Sequence, residues 1–162
     1  MAVAARDNIF PTTSARAAAG RTAGAVVSSG GILWRRGVSD QIEVCLSSAG
    51  DSFGRHFWTI PRGRVHEDER LEDAAVRQVY DKTGALGRMP KSLERVTLGG
   101  GEIGYFFLLR AGKSVATERS SPESHWVEIN TAIRLVRTEG ERHSLLQASR
   151  LIDARSTSLR PI

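Results

Sequence analysis

Residues 63–85 read GRVHEDERLEDAAVRQVYDKTGA. Within this stretch Leu71, Ala75 and Val79 recur every four residues, and Val76 with Tyr80 repeats the step. That spacing predicts an amphipathic helix. Gly84 stands just past the last helical residue, where a glycine ends a helix most easily. The start is weaker, because Arg70-Leu71 offers neither a capping hydroxyl nor a proline. Gln78, Asp81 and Lys82 lie three and four residues apart, so their side chains share one helix face. That face carries an amide, a carboxylate and an ammonium, with no net charge.

A glycine (Gly63), five residues, Glu69, seven residues, Arg77, and then Val79, Gly84 and Ala85: this spacing resembles the signature box of the Nudix hydrolases. Three family glutamates are replaced here, by Gln78, Asp81 and Lys82. Further matches lie outside the box. Trp58-Thr59-Ile60-Pro61-Arg62-Gly63 resembles the Trp-x-x-Pro-Lys-Gly segment of the diadenosine-polyphosphate and diphosphoinositol-polyphosphate branch, with arginine in place of lysine. Glu123 to Val127, then Ala132 and Leu135, then Glu141-Arg142, follow the same branch. Near Gly101–Phe106 that branch has a lysine and a histidine where glycines stand here. The resemblance runs from Arg21 to Ile152 and implies an α/β fold, a Nudix-type α/β/α sandwich around a mixed β-sheet.

The resemblance also implies a function: hydrolysis of a nucleoside-polyphosphate or other diphosphate-linked substrate, with Mg²⁺ held by carboxylates. In that scheme Asp81, the degenerate position Gln78 and the Gly63 carbonyl are the metal positions, and Glu69 and Asp81 the catalytic ones. Glu69 and Arg77 form the pair that braces loop against helix in the family, and structure alone explains their retention. Glu102 and Glu123 are the distal acids available to complete a site; exposed loop acids are the plainer reading of both. Mg²⁺ takes hard oxygen ligands, and a lysine facing a dication costs roughly 8 kcal/mol at 4 Å and an effective dielectric of 20. The expectation is therefore weak or absent Mg²⁺ binding and an impaired pyrophosphohydrolase. The alternative is a catalytically inactive protein that binds a nucleotide or phosphate through Arg62, Arg64 and Lys82, or a structural subunit associated with RNA.

The rest of the chain fits one domain. Its 162 residues are long enough for a core, and 40% hydrophobic with 25% charged residues is ordinary for a globular protein. A net charge of +5 favours anionic partners, although a solvated basic surface gives the same number. Short strands are expected at Ala25–Ser28 and Ile32–Arg35, parted by a Gly30-Gly31 turn, and at 41–47, 56–60, 92–98, 104–110 and 125–129. Helices are expected near 131–137 and 140–154. The domain is placed at residues 23–155, between a flexible N-terminal tail (1–22) and a short C-terminal tail (156–162). The tail is rich in Ala, Arg, Ser and Thr, so organelle import stands beside the expectation of a cytoplasmic protein. One cysteine, Cys45, excludes a disulfide within the chain, and no apolar run approaches a membrane span. His56, His66, His125 and His143 lack metal-ligand spacing. Phe53 and Trp58 are candidates for base stacking, with core packing the ordinary role.

Overall fold

A computed structural model describes residues 25–112 and 123–158. In chain order these are β1 (Val27–Arg36), β2 (Ile42–Gly50), β3 (His56–Thr59), β4 (Arg62–Arg64), α1 (Leu71–Thr83), β5 (Gly87–Ser92), β6 (Val96–Thr97), β7 (Ile103–Ala111), β8 (Ser124–Glu128), α2 (Ile129–Leu135) and α3 (Glu139–Ser158). The strands form one mixed sheet in the order β3-β2-β1-β7-β5, with β4 on β1, β6 on β7 and β8 on β2. Strand alternation then divides the core. Ile32, Trp34, Val44 and Leu46 face one side, with Ala132 of α2 and Leu145, Ala148 and Ile152 of α3. Leu33, Cys45 and Leu109 face the other, with Leu71, Ala75 and Val79 of α1. This is the expected α/β/α sandwich.

The edge of β1 opposite β7 is shared. Its last residues pair with β2 (Trp34↔Val44 to Arg36↔Ile42), and its first with β4 (Ser28↔Arg64, Ser29↔Gly63, Gly30↔Arg62). Beyond Val44, β2 leaves β1 and takes β3 as its neighbour (Ser47↔Thr59 to Gly50↔His56). The chain from His56 to Arg64 therefore crosses a fork between β1 and β2, and that fork opens a cleft.

The fork explains a correction. Gly30-Gly31 is no turn: β1 runs straight through it. A Cβ on Gly30 would lie 2.1 Å from the Pro61 carbonyl oxygen, and one on Gly31 would lie 2.5 Å from Leu109 Cδ1. Both glycines are present because the crossing segment and the α1 face approach the backbone from opposite sides. The expected strand at 92–98 is also corrected. Pairing with β7 ends at Ser92 and resumes only at Val96–Thr97, while β5 begins at Gly87. Pro90 hides β5 from sequence reading, but β5 is a sheet edge, where a missing N–H is tolerated. Helix α2 starts two residues early, because the Glu128 carboxylate accepts from the Asn130 and Thr131 amides. Helix α3 continues to Ser158. Residues 1–22, expected as a tail, lie outside the described residues, as do 159–162. Burial pushes the Cys45 thiol up to about 11, so it stays protonated in the core. Among the described residues no helix is long and apolar enough to cross a membrane.

Candidate functional site

Helix α1 sits over β1, where Ser29 Oγ donates to the Leu71 carbonyl at 2.6 Å. Its N-cap, Arg70, makes no side-chain cap bond, and its end is closed by Gly84 at φ 76°. Between β4 and α1 the loop is held by one carboxylate. Arg77 donates to Glu69 from Nε (2.8 Å) and Nη2 (2.9 Å), and the His66 amide donates to the same carboxylate at 2.9 Å. Arg77 Nη2 also donates to the Arg64 carbonyl at 3.0 Å, so β4, loop and helix share one guanidinium.

Glu69 is thus committed to the brace. The Arg77 hydrogen bond, aided by the His66 amide, holds its carboxyl below the usual 4.5. A depressed folded-state pKa stabilises the protein above the unfolded value, and the gain is lost as pH falls through the folded value. Acid titration of stability should therefore show a component below pH 4.5 that Glu69→Gln removes. Arg77→Ala, measured by urea unfolding at neutral pH, should cost about 1–2 kcal/mol, the range of a partly exposed bidentate pair. An unchanged acid limb in Glu69→Gln would show that the brace carries no stability.

The three positions on the α1 face diverge. Gln78 packs on Gly63, where an added Cβ would lie 2.3 Å from Gln78 Oε1, and its Nε2 is 3.5 Å from the Arg64 carbonyl. Asp81 is exposed and 3.7 Å from Arg77 Nη1. Lys82 lines the cleft.

That cleft, about 290 Å³, lies in the fork between β1 and β2. Its walls include Ser28, Ser47, Thr59, Phe57, Arg62, Gly63, Arg64, Lys82 and Glu102. The expected basic cluster, Arg62, Arg64 and Lys82, is therefore on one surface. Its members differ in what they can offer. Arg62 faces Glu102 (Nε to Oε2, 3.2 Å) and Glu141 (Nη1 to Oε1, 3.3 Å) and donates to Thr59 Oγ1. Among the described residues Arg64 and Lys82 form no ion pair. Of the two distal acids Glu102 reaches the cleft, whereas Glu123 is exposed before β8 with its carbonyl accepting from the Ser48 amide at 2.7 Å. Trp58 packs on the core in a T-shaped contact with His125, centroids 5.0 Å apart. Phe53 is exposed at the hairpin tip.

Two residues matter more than sequence reading suggested. Glu141, 1% exposed, accepts from Thr59 Oγ1, from the Ile60 amide at 2.9 Å and from Thr138 Oγ1 at 3.0 Å, and also faces Arg62. It clamps the crossing segment that forms one cleft wall. The signal was Thr138-Glu139-Gly140-Glu141, the capping-box spacing at the start of α3. The other is Ser28, buried in the cleft lining.

The family model for the NUDIX domain matches residues 21–148. Among solved structures, a mutT/nudix family protein from Listeria innocua has a TM-score of 0.66 at 18% identity, covering 85% of this chain and 99% of that one. The NUDIX domain of Shewanella oneidensis NrtR, complexed with ADP ribose, has a TM-score of 0.64 at 17% identity, covering 80% and 89%. An Ap4A hydrolase from C. elegans, in a binary complex, has 0.63 at 18% identity, covering 78% and 98%. Comparison with curated proteins gives no match.

Proposed function

The chain belongs to the Nudix family, and from that premise we propose that it binds a nucleotide-type diphosphate ligand in the β1–β2 cleft through cations, with hydrolysis weak or absent. The observation that carries this reading is the charge on the cleft lining. Arg62, Arg64 and Lys82 stand against Glu102 on the lining and Glu141 directly behind Arg62, three positive charges to two negative, for a balance of +1. A low-dielectric groove of that sign concentrates anions. Arg62 is largely balanced by its own carboxylates, so Arg64 and Lys82 supply most of the attraction.

Nudix enzymes generally use divalent metals such as Mg²⁺. The side chains at the corresponding face do not fit one: an amide packed on Gly63, an exposed carboxylate beside Arg77, and an ammonium. Hard cations of this size require several oxygen donors converging in near-octahedral geometry. Among the described residues no group of three or more His, Cys, Asp or Glu converges. The competing reading, a Mg²⁺-dependent pyrophosphohydrolase using Asp81 and Glu69, would need Glu69 to leave Arg77, which holds both of its carboxylate oxygens, and would leave Asp81 as one exposed ligand.

The ligand class follows from the neighbours, an Ap4A hydrolase and an ADP-ribose complex, which make phosphate-linked nucleosides the compounds to test. Calorimetric titration with ADP-ribose, ADP and Ap4A in EDTA should give binding that added Mg²⁺ leaves within about threefold (roughly 0.7 kcal/mol). Turnover should fall far below the roughly 10 s⁻¹ of a typical enzyme. Binding that requires Mg²⁺, or brisk hydrolysis, would restore the enzyme reading. A basic exterior that bound RNA and ignored all three nucleotides would favour the structural-subunit reading instead.

A further inference from the structure

Ser28 and Ser29 are adjacent on β1 and both buried, at 3% and 0% exposure, but their hydroxyls have different fates. Ser29 Oγ lies on the α1 side, 2.6 Å from the Leu71 carbonyl and 3.2 Å from the Tyr105 carbonyl. Ser28 Oγ has no hydrogen-bond partner among the described residues. A buried hydroxyl without a partner has given up its water bonds for nothing, and alanine would fill the same place without that loss. Its position is informative. Ser28 is the direct antiparallel partner of Arg64, so the two side chains leave the sheet on the same face. Both line the cleft, together with Lys82.

We propose that Ser28 is a ligand-binding residue whose hydroxyl donates to a phosphate oxygen of the anion held by Arg64 and Lys82. The proposal rests on the cleft reading above and adds the group that orients the bound phosphate. A flexible ammonium attracts an anion without fixing its position, and a single guanidinium fork grips only one edge of it. A short hydroxyl on a central strand is rigid, and direct cross-strand partners have Cβ atoms about 5 Å apart, close enough for one phosphate to meet both side chains. The ligand accordingly presents an oxyanion at the cleft floor, as a terminal phosphate or a diphosphate does.

The test uses the full chain in EDTA with inorganic pyrophosphate as probe, comparing wild type, Ser28→Ala, Ser29→Ala and Lys82→Ala by calorimetry and by melting without ligand. Ser28→Ala should weaken pyrophosphate binding about tenfold while leaving the ligand-free Tm unchanged or raised. Ser29→Ala should do the reverse, lowering Tm with affinity intact. That pair of opposite signs separates ligand recognition from structural hydrogen bonding. If Ser28→Ala binds like wild type while Lys82→Ala has lost affinity, the cleft reading stands and the role given to Ser28 is wrong. If Ser28→Ala lowers the ligand-free Tm as Ser29→Ala does, the hydroxyl is structural and the proposal fails. If wild type does not bind pyrophosphate in EDTA, the anion cleft and this inference fall together.

Discussion

Replacing Glu141 with alanine is expected to cost about 3–5 kcal/mol of folding stability, the range for removing one member of a buried ionic cluster. The carboxylate is 1% exposed and collects the Thr59 hydroxyl, the Ile60 amide, the Thr138 hydroxyl and the Arg62 guanidinium. Its loss strands a buried amide and two hydroxyls at once and leaves Arg62 to Glu102. Glu141→Gln keeps the volume and one acceptor oxygen, so it should cost less, about 1–2 kcal/mol. Urea unfolding with a shared m-value gives both numbers. The loss should be accompanied by a loosened cleft, because the clamped residues are the ones that cross from β2 to β1. A cost for Glu141→Ala below about 1 kcal/mol would mean that the crossing is held by strand pairing alone.

What could be read from the sequence, and what could not, divides along the same lines. Helix α1 was legible because Leu71, Ala75 and Val79 repeat at helical spacing and Gly84 closes it; each of those side chains is buried. The strand expected at 41–47 was legible for a similar reason: Ile42, Val44 and Leu46 alternate along it, and all three are buried in one core cluster. Gly30-Gly31 misled because a glycine pair at a turn and one beneath a crossing chain look alike in sequence; only tertiary contact with Pro61 and Leu109 distinguishes them. β5 was hidden by Pro90, whose tolerance depends on an edge position that no local pattern announces. The cleft was half legible. Arg62, Arg64 and Lys82 could be grouped, but Arg62's engagement by Glu102 and Glu141 bridges 40 and 79 residues of chain. The Ser28 hydroxyl, without a hydrogen-bond partner among the described residues, has no sequence signature at all, since it is defined by what does not approach it.

The second large effect comes from rewriting the α1 face. Gln78→Glu, Asp81→Glu and Lys82→Glu made together change the face by −3, since the first adds one negative charge, the last replaces a positive with a negative, and the middle one is neutral. The three are made as a set because groups that act as one unit are not additive. Lys82 lines the cleft and Gln78 packs on Gly63, another cleft residue, so two of the new carboxylates start at the cleft or against its wall. None of the three replaces a fully buried side chain, so the variant should fold, with carboxylate repulsion along the helix as its main penalty. Metal-free pyrophosphate affinity should then drop at least about a hundredfold, because a cation on the cleft lining is exchanged for an anion. Mg²⁺ should now bind the folded state. At a hundredfold excess over Kd this adds about 2.7 kcal/mol, or roughly 5–10 °C in Tm for a domain of this size. The wild type should show neither response. If the variant loses pyrophosphate binding and gains the Mg²⁺ shift, one helix face decides between the two modes of holding phosphate, and the three replacements account for the difference. If pyrophosphate still binds in EDTA, Lys82 is outside the anion site. If Mg²⁺ leaves Tm unchanged, the three side chains do not converge, and the brace of Arg77 on Glu69 and Asp81 has set this helix face apart from a metal site in geometry as well as in charge.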